Sequence, residues 1–214
     1  MRPMRQAAQV VALAALVALA GCKHLQRQPD PQTTEGEWAK ARDRATRRAL
    51  LYDGLNHRAT VTATLLTPAV REARARRLGE WLGWTQAELD ARLAQERNEA
   101  AEGEELFLSF YTSDPHENDL DAVRPVWRVA VKLDDTDVVA RRMTGVDRDA
   151  NTLSLFPYVG PFDVVYRVLF PPAPGGSLAD REFRVEVASG EGRLSLDFRG
   201  EGGPMLKQSP VPPP

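Results

Sequence analysis

Two periods of hydrophobicity divide the chain. Between residues 38 and 101 the apolar positions recur mostly at three- and four-residue intervals, with residues 59–66 the exception, and after Glu104 they recur at every second residue. Trp38, Ala41, Ala45, Ala49 and Tyr52 fall at helical spacing, with Lys40, Arg42, Arg44, Arg47 and Arg48 between them, which predicts a basic helix over about 38–52. The stretch "ATVTATLL", residues 59–66, alternates and is β-branched, and it predicts a strand. Thr67 followed by Pro68 then has the chemistry of an N-cap and first helical residue, predicting a helix over 68–83. Its apolar side would carry Val70, Ala73, Leu78 and Trp81, and its wet side Arg71, Arg74, Arg76 and Arg77. In "WTQAEL", Thr85 and Glu88 form a capping box and Trp84 can staple onto Leu89, starting a helix over 86–101.

From Glu104 the alternation predicts strands. Leu106, Leu108 and Phe110 share one face, as do Trp127, Val129, Val131 and Leu133. Further strands are expected over 138–144, 152–156, 164–170, 183–187 and 194–198, and "SGEG" between the last two reads as a tight hairpin turn. About eight short strands with turns rich in Asp, Asn, Gly and Pro predict a mainly β domain with added helices. The expected form is an antiparallel β-sandwich or barrel, Ig-like sandwiches among its possible forms, with an N-terminal helix and a helical insertion after the first strand. One globular domain is expected over 37–200, its β-rich part 104–199. A polar tether over 22–36 precedes it, and a proline-rich tail over 201–214, ending "PVPPP", follows.

Composition narrows the class. With 43% hydrophobic and 27% charged residues in 214, the chain can bury a core. The formal net charge is −2. Without residues 1–21, which hold Arg2 and Arg5 and no acids, 26 bases face 30 acids, a balance unsuited to a dedicated nucleic-acid binder. A single cysteine excludes an internal disulfide.

The position of that cysteine is informative. Arg2 and Arg5 are followed by "VVALAALVALA", Val10–Ala20, and then by Gly21 and Cys22. Basic start, short apolar run and small residues are the parts of an export signal, and the run is too short to remain as a spanning helix. Leu19-Ala20-Gly21-Cys22 resembles the lipobox of bacterial lipoproteins at each position. The resemblance implies a diacylglyceryl group on the Cys22 thiol and cleavage between Gly21 and Cys22. Residues 1–21 would then be the signal peptide and the mature protein membrane-bound through lipid. Lys23 stands where an aspartate would favour inner-membrane retention, so the resemblance points to the outer membrane.

Catalytic motifs are sparse. "HENDL" at 116–120 begins like a zinc motif and lacks the second His. Asp114, Glu117, Asp119 and Asp121 offer the hard oxygen donors that Ca²⁺ prefers, and the same residue types also form turns. Asp147, Asp149 and Asn151 start with EF-hand spacing, but Thr152 and Tyr158 stand where that loop needs Gly and Glu. In "LFPYVGPFDVVYRVLFP", Phe156, Tyr158 and Phe162 surround a Pro/Gly break. They are expected either to cap the core or to form an edge recognising an envelope protein or glycan. The expected function is a non-enzymatic binding or assembly module without a cofactor. The alternative is an envelope hydrolase, metal-assisted and with Ca²⁺ among the candidate ions.

Overall fold

Alternation on β2 sets the architecture. In this strand, Asn56–Leu65, Ala59, Val61, Ala63 and Leu65 point one way and Thr60, Thr62 and Thr64 the other. Each face therefore meets a different layer. The computed structural model describes residues 34–134 and 136–198; Gly21, Cys22, most of the tether and the tail lie outside the described residues. Nine strands among the described residues form two antiparallel sheets. The first has the order β1 (Thr46–Asp53), β2, β3 (Glu104–Thr112), β7 (Val164–Phe170), β6 (Arg142–Val146). The second has the order β5 (Thr136–Val139), β4 (Arg128–Leu133), β8 (Phe183–Ser189), β9 (Gly192–Phe198).

The apolar positions of both sheets meet in one core. Val61, Leu108 and Val168 come from the first sheet and Val131, Val185 and Leu196 from the second. Phe110 and Trp127 pack edge to face at 5.4 Å. Along one side β1 lies against β9, and Arg47 Nε donates to the Asp197 carbonyl at 3.0 Å. The outer face of the five-stranded sheet carries a second core made of Trp38, Leu66, Val70, Phe107, Leu155, Phe156 and Val165. It is covered by α1 (Thr34–Arg44), α2 (Pro68–Leu82) and α4 (Ala150–Leu155). The result is a helix layer on a β-sandwich, the fold class that the alternation predicts.

The helix termini follow their local chemistry. Thr67 Oγ1 accepts from the Val70 amide at the start of α2, and Gly83 ends it with φ of 65°. The Thr85–Glu88 capping box opens α3 (Gln86–Ala101). Gly103, at φ 152°, then lets the chain pass so close to Phe170 that a Cβ would lie 2.1 Å from its carbonyl oxygen.

Several local expectations are corrected. The helix expected over 38–52 is α1 followed by strand β1, because Thr46 turns the chain. Its hydroxyl donates to the Arg42 carbonyl at 2.6 Å, and its backbone pairs with Thr64. The helical insertion consequently follows the second strand. The strand expected over 152–156 is helix α4, N-capped by Asp149, whose side chain accepts from the Thr152 amide. The strand expected over 138–144 is two strands in different sheets.

The arginine face of α2 is only partly wet. Arg71 is 2% exposed and Arg74 9% exposed. Arg71 donates to the Leu66 carbonyl, to Glu96 of α3 at 3.0 Å and to Glu105 of β3. Arg74 and Arg92 also bind Glu96, and Arg167 binds Glu105. Glu96 is the one fully buried residue of α3, so an ion cluster holds that helix to the body of the protein.

Candidate functional site

The helices cover only part of the outer face of the five-stranded sheet. Beyond them, the outward positions of β1, β2 and β3 floor an open cleft of about 290 Å³. Strand register brings the floor together, with Arg48 opposite Thr62, Thr62 opposite Ser109, and Thr60 opposite Tyr111. Thr60 and Thr62, 7% and 5% exposed, line the bottom, and Ser109, opposite Thr62, is buried at 1%. The segment after α4 supplies the far wall through Tyr158, Gly160, Phe162 and Asp163.

Aromatic rings form the near wall. The His57 ring stacks on Tyr111, with centroids 5.0 Å apart and planes 13° apart, and Tyr52 flanks it at 5.0 Å. His57 Nε2 lies 2.7 Å from Thr60 Oγ1 and 3.2 Å from the Ala59 carbonyl oxygen. In one tautomer this nitrogen donates to the carbonyl, and in the other it accepts from the Thr60 hydroxyl.

A relay of hydroxyls closes the inner end. Thr46 donates to the Arg42 carbonyl, so Thr64 must donate to Thr46 at 2.7 Å and Tyr158 to Thr64 at 2.6 Å. Burial pushes the Tyr158 phenol above its usual range, and it remains a neutral donor. Asp163 Oδ2 accepts from the Ser109 hydroxyl and from the Gly160 amide, which pins the far wall to the sheet. Arg48 is exposed at the rim and makes no ion pair among the described residues. The cleft thus offers hydroxyl donors and acceptors, one flat aromatic stack and one free positive charge.

The expected site residues are dispersed. Phe156 is core, stacked on Phe107 at 3.6 Å and packed edge to face on Trp38 at 5.5 Å. Tyr158 is half-buried in the cleft wall, and Phe162 is 79% exposed at its rim. Only the last two of the three aromatics share a surface. Asp114 caps a short 3₁₀ turn by accepting from the His116 amide at 2.9 Å, and Asp119 accepts from the Val126 amide at 2.9 Å. Glu117 lies in that turn, and Asp121 lies beside Gly145. Among the described residues no three His, Cys, Asp or Glu side chains converge to hold a metal ion. Asp149 is engaged as the N-cap of α4. Cys22 and Gly21 lie outside the described residues.

Arg48, His57, Thr60, Thr62, Tyr111 and Asp163 belong to no sequence motif. One signal pointed to them, the threonines at every second position of "ATVTATLL". Threonine there marks a sheet face that apolar packing does not cover. The chain matches no protein-family model, no curated protein and no solved structure.

Proposed function

We propose that this chain is a bacterial envelope lipoprotein, anchored through lipid on Cys22 and favouring the outer membrane, and that its domain binds a hydroxyl-rich ligand, an envelope glycan, without catalysis. One observation carries the binding reading: a cleft floored by Thr60 and Thr62 beside a stacked His57–Tyr111 wall. Sugar hydroxyls pair with such groups in both directions, and the apolar faces of sugar rings pack on aromatic planes. Arg48 adds affinity for any acidic substituent. Asp163, the carboxylate of the cleft lining, already accepts from Ser109 and Gly160, which favours binding over hydrolysis.

The anchor reading rests on the lipobox resemblance. It is compatible with the finding that, among the described residues, no helix is long and apolar enough to cross a membrane. From Cys22 to Thr34 the chain advances twelve residues, about 40 Å at full extension, which lets the domain stand off a bilayer.

The test uses the chain from Lys23 onward, which contains every described residue. It should co-sediment with insoluble envelope polysaccharide, and Tyr111→Ala together with Arg48→Ala should abolish this while thermal unfolding stays cooperative. Equal sedimentation of the folded double variant, or none by the parent, refutes the cleft as the ligand face.

A further inference from the structure

A second cavity lies at one end of the sandwich, away from the cleft. It is a pocket of about 120 Å³ between the end of α1, the start of α2 and the short 3₁₀ segment Leu178–Asp180. Its interior is apolar. Leu65, Val70 and Leu178 line it, and the stacked rings of Phe183 and Phe198, 4.7 Å apart, close one side.

Its rim is cationic. Arg44 is exposed and makes no ion pair among the described residues. Arg47 lies over the Phe198 ring at 5.4 Å and donates to three backbone carbonyls, those of Asp197, Arg44 and Thr46. Among the described residues no carboxylate forms an ion pair with it. Burial alone lowers its pKa, the sign of a cation without a counter-ion. The third rim cation, Arg181, is partly neutralised by Asp134 at 3.5 Å. An apolar pocket beneath two guanidinium groups that make no ion pair among the described residues is complementary to an anionic head on a short apolar chain.

We infer that this pocket binds a single-chain alkyl carboxylate, with the carboxylate between Arg44 and Arg47 and the first carbons inside. At about 30 Å³ per water-sized group the pocket holds about four methylenes. A peptide ending in an apolar residue would bring the same charge and a side chain of similar size. It would also bring amide groups that need partners, which an interior of Leu65, Val70, Leu178, Phe183 and Phe198 side chains does not supply. An alkyl chain has no such requirement.

The test is a calorimetric titration of the chain from Lys23 onward with unbranched carboxylates from acetate to octanoate, each below its micelle concentration. Affinity should rise about fourfold per carbon, the equivalent of about 0.8 kcal/mol per buried methylene, and level off after about four. Octan-1-ol should bind about tenfold more weakly than octanoate, because it lacks the charge. Arg44→Glu should weaken octanoate about tenfold or more. Ala69→Trp, on the exposed first turn of α2 at the pocket wall, should abolish binding without lowering the unfolding temperature. The inference is overturned by no saturable octanoate binding, by affinity independent of chain length, or by equal binding of octan-1-ol. It is also overturned by an unchanged Arg44→Glu variant, by tighter binding of a tripeptide ending in leucine, or by binding confined to phosphatidylglycerol vesicles.

Discussion

Replacing Glu96 with glutamine removes the charge at the centre of the ion cluster that fixes α3. Glu96 is 3% exposed and faces Arg71, Arg74 and Arg92 at 3.0, 2.8 and 2.6 Å. Burial by itself raises its pKa, but the three arginines outweigh burial and hold it at about 2, against an ordinary 4.5. At about 1.36 kcal/mol per unit, a difference of about 2.5 units corresponds to about 3 kcal/mol of stability at neutral pH. That is the size expected when one partner of a buried pair is lost, about 3–5 kcal/mol. Burial also lowers the Arg74 pKa, an opposing cost of assembling the cluster. A guanidinium nevertheless stays protonated throughout the acid range, so within the cluster only carboxylates titrate there. Because the folded pKa of Glu96 lies below the unfolded one, its contribution is complete above about 4.5 and is lost as pH falls through about 2. Urea unfolding followed by tryptophan fluorescence, at pH values from 7 to 2, measures this directly. Glu96→Gln should be less stable than the parent by about 3 kcal/mol at pH 7, and the gap should close near pH 2. A gap below about 1 kcal/mol at pH 7, or one independent of pH, refutes the reasoning.

Three further outcomes are expected. Phe156→Ala should cost about 3–5 kcal/mol in denaturant unfolding, because the ring sits between Phe107 and Trp38, whereas exposed Phe162→Ala should change stability by less than about 0.5 kcal/mol. Gly103→Ala should lose at least about 2 kcal/mol in the same assay, because neither the φ of 152° nor the Phe170 carbonyl leaves room for a Cβ. Cys22→Ser should abolish metabolic labelling with radioactive palmitate and accumulate uncut precursor, and a variant that is still processed and membrane-held contradicts the lipobox reading.

How much of this was legible depends on whether the signal was local. Thr67-Pro68 and the Thr85–Glu88 box start α2 and α3 where their side chains dictate, and β3, β8 and β9 follow the strict alternation of Leu106–Phe110 and of residues 183–198. β1 was hidden because Ala45, Ala49 and Tyr52 continue the helical spacing of Trp38 and Ala41, and no Gly or Pro marks the turn at Arg44–Ala45. Tertiary pairing of Thr46 with Thr64 decides against the local periodicity. The N-cap of α4 was visible in Asp149, but the same Asp–Asn run also suits a turn or a cation. Arg71 and Arg74 read as wet because their partners, Glu96 and Glu105, lie 22 to 34 residues away. The cleft needs strand register before Arg48, Thr62 and Ser109 become neighbours, so its composition was visible and its assembly was not.

We propose that the uncovered face of the five-stranded sheet is a ligand face. Amide NMR titration of the chain from Lys23 onward with soluble envelope-glycan oligosaccharides tests it residue by residue. Saturable shifts are expected on Arg48, His57, Thr60, Thr62, Tyr111 and Phe162, and Tyr111→Ala should remove them. Shifts clustered elsewhere on the domain, or no saturable shift at all, contradict it.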